Sequence, residues 1–423
     1  MILGGEKTGD SHFYLLVRRG LTQLKPDWPP KRKPRNRSQI NYYSDAARNA
    51  HLIEASRRPS TRARCEFVQP RHPRSVTVVY GSRPLFPTLI NNPRPEQMSE
   101  LAERLAGGEA LLVQFADAIY TPEQLQQLDE LCATHRAQLH VRFYAHYGSI
   151  FDASILRALP HVVTLKLDCL QHANHVDTIA ELPHLEHLGI DIFELADTQI
   201  LRFENLRALR SLFVGDTRRS RLDLSYVSTF AQLDSLRISG QTLGLQAIAD
   251  LPALRALTLR SIPKSSALGF VSKIASLRSL DVVLGGRSDV HEVQSTNLRD
   301  LELIRIRGLS DLGDLARFPN LVSLVLEDQI QVRAVHLTPA NATCQSLRIF
   351  NCKNLSTLSG LNHLTQLRHL RIGTTPLDID SLLATLPPTL ETCGIYTGKE
   401  RENRRIRELL DARGIREFDA GTQ

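Results

Sequence analysis

Residues 318–327 read FPNLVSLVLE. Apolar side chains fall at Leu321, Leu324 and Leu326, with Ser323, Val325 and Glu327 in the alternate places. Side chains of an extended chain point alternately to opposite faces, so the stretch reads as one strand with its leucines on a buried side. Whether that strand is solitary or one copy of a repeat decides the fold. The form L-x-x-L-x-L recurs as VVTLKL (162–167), LEHLGI (185–190), LRSLFV (209–214), LDSLRI (233–238), LRALTL (254–259) and LRSLDV (277–282). It continues as LRDLEL (298–303), LVSLVL (321–326), CQSLRI (344–349), LRHLRI (367–372) and LETCGI (390–395), and successive copies lie 21 to 24 residues apart.

Self-similarity at a fixed period marks a stacked architecture, because one such unit cannot bury its own apolar face. The eleven copies resemble the leucine-rich repeat family, and their spacing matches its short-period, internalin-like class better than its long-helix class. The resemblance implies an α/β repeat solenoid, a horseshoe or arc. A parallel sheet lines its concave face, and short helices or 3-10 turns lie on the convex side. Members of that class carry Asn three residues after the last apolar strand position, where it bonds the turn. Here the place holds Thr217, Cys352, Thr375 or Ile262, so less regular curvature is expected.

The stretches flanking the repeats define the ends. Four segments are expected: a basic, Pro- and Arg-rich disordered extension over 1–75, a βαβαβ cap over 76–150, the repeats over 151–396, and a capping helix with tail over 397–423. Within the first cap, strands are expected at 75–81, 109–118 and 138–148. Helices are expected at 95–108 and at 121–136, the latter with Thr121 as N-cap and Pro122 in the first position. Residues 399–415 read as a charged helix with an apolar stripe of Ile406, Leu409 and Leu410 and a stop at Gly414.

Charge is uneven. Residues 1–75 hold 16 Lys and Arg against 6 Asp and Glu, while the whole chain carries +7, so the rest is slightly acidic. Six cysteines without a CxxC read as reduced thiols, which fits a cytosol-like compartment. No apolar run reaches the ~20 residues of a membrane span. A cytoplasmic monomer without a membrane span is expected, with leaderless delivery as an effector the alternative.

Chemical motifs are weak. GGEKTGDS (4–11) approaches a phosphate-binding loop, but Asp10 stands where the lysine belongs. His161, His172, His175, His184 and His187 cluster near Cys169, and His161 and His184 fall at equivalent places in adjacent repeats, where they can stack. Zinc needs convergence that spacing alone does not supply. No hydrolase, kinase or dinucleotide motif occurs, and the ligase domain that follows the repeats in some bacterial effectors has no counterpart in the final 25 residues. No catalytic residue, metal or cofactor is assigned.

Function on such a scaffold falls to the strand residues that face away from the leucines. One column is mostly small hydroxyls. The others are zoned: Arg237 and Arg260, then Asp281, Asp300, Glu302 and Glu327, then Arg348 and Arg371, with aromatics at Phe213, Phe350 and Tyr396. Asp281 and Glu302 fall on adjacent strands, an unfavourable like-charge placement. It implies either a basic partner or internal pairing with Arg260 and Arg348. These eleven residues form the candidate surface of a non-catalytic scaffold that binds another protein. The competing readings are nucleic-acid or anionic-surface binding through the basic arm, for which no aromatic interleaving speaks, and a metal-dependent enzyme at the His-rich edge.

Overall fold

The computed structural model describes residues 87–117, 119–146, 149–218 and 221–418. The strand expected at 75–81, the glycine-rich stretch 4–11 and the basic segment 1–75 lie outside these. The described chain is organised by one parallel sheet of fifteen strands in sequence order. They are β1 (Thr88–Asn91), β2 (Leu111–Ala116), β3 (Leu139–Tyr144), β4 (Thr164–Leu170), β5 (His187–Ile192), β6 (Ser211–Val214), β7 (Ser235–Ser239) and β8 (Ala256–Arg260). Then follow β9 (Ser279–Val283), β10 (Asp300–Ile304), β11 (Ser323–Glu327), β12 (Ser346–Phe350), β13 (His369–Gly373), β14 (Thr392–Tyr396) and β15 (Arg416–Glu417).

The register follows the repeat. Leu301, Leu324 and Leu347 are neighbours across β10, β11 and β12, as are Leu303, Leu326 and Ile349. A slip of one residue would turn every leucine to the open face, so the pattern fixes the register. The leucines form one continuous core running from Met98 to Ile415. A repeat of 21–24 residues has little chain left after its strand and turns, and most repeats return through short 3-10 turns rather than α-helices. Several of these are capped by an Asp that accepts from the backbone two residues on: Asp152 from Ser154, Asp223 from Ser225 and Asp314 from Ala316, at 2.8 to 2.9 Å.

Two devices stitch repeat to repeat. Just before five of the strands a small polar side chain donates to a carbonyl of the preceding repeat: Ser276 to Leu254, Asn297 to Ala275, Asn320 to Thr296, Thr343 to Leu321 and Thr389 to Leu367, at 2.7 to 2.9 Å. Just after the strands the backbone turns left-handed at Gly240, Ser261, Leu284, Arg305, Asp328, Asn351 and Thr374. A left-handed side chain costs about 1–2 kcal/mol. The turn nonetheless recurs, because each of these residues thereby donates its N–H to the next strand, as Arg305 does to Glu327 at 2.8 Å and Asn351 to Gly373 at 2.9 Å. The ladder of sheet hydrogen bonds thus extends past the strand while the chain leaves it. The turn position that favours Asn in similar repeats also holds buried Gln241 and Gln329. The Gln241 amide donates to the Gly215 carbonyl and Thr217 Oγ1, both at 3.0 Å, and accepts from the Leu222 N–H at 3.1 Å.

At the N-terminal end a 3-10 turn (Pro95–Gln97) leads into helix α1 (Met98–Ala106), and α2 (Pro122–His135) follows β2. The Thr121 hydroxyl accepts from the Gln124 N–H at 3.2 Å. Helices α3 (Ile379–Ala384) and α4 (Glu400–Asp411) lie at the other end. In α4, Ile406 and Leu410 are buried while Leu409 is 38 % exposed, so the expected three-residue stripe is narrower by one. Leu409 is one residue, about 100° of helix, away from Leu410 and turns outward. Beyond Gly414, with φ of 75°, the chain adds β15 to the sheet and buries Phe418.

Candidate interaction surface

The residues that alternate with the leucines form the open face of the sheet, the concave face expected of such a solenoid. Because the strands are in register, equivalent residues of successive repeats make columns. The middle column runs Phe213, Arg237, Thr258, Asp281, Glu302, Val325, Arg348, Arg371 and Gly394. Asp300 precedes Glu302 by one column, and Arg260, Glu327, Phe350 and Tyr396 follow by one.

Three zones result. In the first, the Arg237 guanidinium lies 5.9 Å from the Phe213 ring centre, and Arg260 sits half-buried on β8. In the second, Asp281, Asp300, Glu302 and Glu327 occupy three adjacent strands, β9 to β11, each half-buried. Asp281 accepts a hydrogen bond from the Thr258 hydroxyl at 2.9 Å. Asp300, Glu302 and Glu327 make no side-chain hydrogen bond and no ion pair among the described residues, and Asp300 Oδ1 is buried without a partner. Burial disfavours the charged forms of Asp281, Asp300 and Glu302. Loss of hydration raises Asp281, with Thr258 and Arg237 opposing it. Asp300 is pushed up to about 6, and Glu302, facing Asp281 as well, to about 7. Glu302 and Arg348 make no ion pair with each other, and Arg237 is a cation that acts on Asp281.

The third zone is cationic and aromatic. Arg348 and Arg371 are neighbours on β12 and β13 and neither makes an ion pair or hydrogen bond among the described residues. The Arg371 guanidinium carbon lies 5.2 Å from the Phe350 ring centre and 5.7 Å from those of Tyr396 and Phe418. Room for the rings comes from two glycines. Phe350 lies where a side chain at residue 373 would project, and Tyr396 lies across Gly394.

The open face also extends upstream of the first recognisable repeat. From Lys166 of the first repeat on β4 the middle column continues to Arg142 on β3 and Gln114 on β2. Arg142 Nε is 2.6 Å from Asp168 Oδ1, a second nitrogen donates to Gln114 Oε1 at 2.9 Å, and the guanidinium lies over the Tyr144 ring at 4.6 Å. The alternation Leu139, Val141, Phe143 carried the signal for these residues, since the side chains between them must share the open face. The histidines serve locally. His161 and His184 stack with ring centres 5.7 Å apart, and His161 Nδ1 is 2.8 Å from Asp129 Oδ2. His175 Nδ1 pairs with Asp152 at 2.8 Å. No group of three or more metal-ligating side chains comes together among the described residues, nor is any helix there long and apolar enough to cross a membrane.

The repeat, its register and its unbroken parallel sheet give this chain the fold of a short-period leucine-rich repeat solenoid. No family model matches it, and no curated protein does. Among solved structures it is similar to a leucine-rich repeat protein of Leptospira interrogans, at 17 % identity and a TM-score of 0.36, over 75 % of this chain and 98 % of that one. It is also similar to the functional domain of InlJ from Listeria monocytogenes (14 %, 0.37, 65 % and 64 %) and to internalin C2 of the same organism (17 %, 0.32, 57 % and 83 %).

Proposed function

We propose that the chain is a non-catalytic scaffold that binds a partner protein on the concave face, with the acidic zone of Asp281, Asp300, Glu302 and Glu327 receiving a basic segment. One observation carries the reading: half-buried carboxylates stand on adjacent strands without a compensating ion pair among the described residues. Like charges placed side by side on a sheet destabilise it, and the same scaffold pairs Arg142 with Asp168 elsewhere. A basic partner would supply the missing charge. In this reading residues 76–150 and 397–423 cap the two ends, and Phe213, Arg237 and Arg260 flank the site on one side. The chain acts as a single copy. Its described cysteines are free thiols, four of them buried, which supports work in a reducing compartment such as the cytoplasm.

Partner capture with the wild type beside an Asp281→Lys/Glu302→Lys variant tests this. Loss of a captured protein from the variant is the expected outcome; equal retention of every partner would sink the placement. The acidic zone also sets a pH dependence. A basic partner favours the ionised carboxylates, so affinity should rise as pH climbs through about 6 to 7, where Asp300 and Glu302 lose their protons.

A further inference from the structure

We infer that Arg348 and Arg371 form a carboxylate-binding subsite, and that the partner presents to it an acidic side chain or chain terminus spaced about four residues from the basic group held at Asp281 and Glu302. This rests on the concave-face reading and specifies what the far end of that face recognises.

Two guanidinium groups on adjacent strands repel each other, yet neither makes an ion pair with an acid among the described residues. Arg371 is enclosed by Phe350, Tyr396 and Phe418, and its Nε is buried without an acceptor. The enclosure holds the planar fork in place before any ligand arrives, which lowers the ordering cost of binding. Arginine forks match carboxylate geometry in bidentate fashion. Charge selects a carboxylate over a phosphate, because Glu302 and Glu327 both act on Arg348. A dianion set beside them would meet more repulsion than a monoanion.

Spacing follows from the sheet. The centre of the Asp281–Glu302 pair and that of the Arg348–Arg371 pair are three strands apart, or about 14 Å at ~4.8 Å per strand. An extended segment at ~3.4 Å per residue covers this in about four residues.

The test selects a displayed library of random dodecapeptides against the full chain. Recovered sequences should carry Lys or Arg and, about four residues away, Asp or Glu. In one recovered peptide, replacing the acid by its amide should weaken binding to the wild type about tenfold, and to an Arg348→Gln/Arg371→Gln variant less than about twofold. Circular dichroism and thermal melting of the variant establish that it folds, and Arg348→Gln alone replaces it if it does not. An absent acidic preference, or an amide penalty that is equal in the variant, overturns the inference while a retained basic preference leaves the acidic zone intact. Tighter binding of a phosphoserine version overturns the carboxylate assignment. Concentration-dependent self-association that the variant abolishes would identify a second copy as occupant and likewise overturn it. Selection of no sequence at all would remove the concave-face reading, and this inference with it.

Discussion

Arg142 and Asp168 sit on the open face of the sheet, as Glu302 and Arg348 do, and on the same kind of strand. The first pair closes to 2.6 Å with side chains only 16 % and 8 % exposed. Glu302 and Arg348, in the second and third zones, remain apart, separated in the middle column by Val325. The scaffold is the same, so the difference lies in which residues the repeats place side by side. On β3 and β4 a cation and an anion are within reach. From β9 to β13 the order is anion, anion, apolar, cation, cation. A pair that closes on itself is structural; a segregated series presents its charge outward.

The largest effect should come from breaking the closed pair. Asp168→Ala leaves the Arg142 guanidinium half-buried beside Gln114 and Tyr144 without its carboxylate. Stripping one partner from such a pair costs about 3–5 kcal/mol. Chemical denaturation should show a lower midpoint, and hydrogen exchange should show faster opening at β3 and β4 first, since a repeat array unfolds locally. Wild-type stability would mean that the pair is an exposed contact of little worth.

The opposite sign is expected in the acidic zone. Glu302 has a folded pKa of about 7, above its ordinary value of 4.5. The unfolded chain therefore loses that proton first, and folding stability falls as pH rises from about 4.5 to 7. Glu302→Gln removes the charge but keeps the shape. It should stabilise the protein by about 1–2 kcal/mol at pH 8 and by almost nothing at pH 4, read from denaturation midpoints at the two values. Destabilisation at pH 8 would mean that the carboxylate has a cationic partner within the chain.

The leucine period made the core, the register and the parallel sheet legible, because burial of one face admits only one alternation. The polar ladder was harder to see. In FPNLVSLVLE, Asn320 precedes the strand and donates to Thr296, whereas the resemblance pointed to a place after the strand. Equivalent places hold Ser276, Asn297, Thr343 and Thr389, and only their shared bond to the previous repeat unites these residue types. The left-handed turn was hidden for a similar reason. It is held by Leu284 and Arg305 as well as by Asn351 and Gly240, so composition does not mark it. The zoned charges could be read from the columns. Which of them pair could not, because pairing depends on side-chain reach across strands rather than on order along the chain.

The smallest effect, and the finest probe of the contrast, lies at the boundary of the acidic zone. The Thr258 hydroxyl gives Asp281 the hydrogen bond that its neighbours lack. It lowers the Asp281 pKa against the larger upward pull of burial. Thr258→Val keeps the branched shape and removes the donor. The carboxylate then loses a bond that favours its charged form, so its pKa should rise further. Stability should drop by about 1 kcal/mol at pH 8. At pH 4 the loss should shrink, since a protonated Asp281 depends less on a donor. The partner should also bind less well at low pH, where more Asp281 is neutral, and the deficit should close as pH rises. A loss of stability that is equal at both pH values would assign Thr258 to packing alone and detach it from the acidic zone.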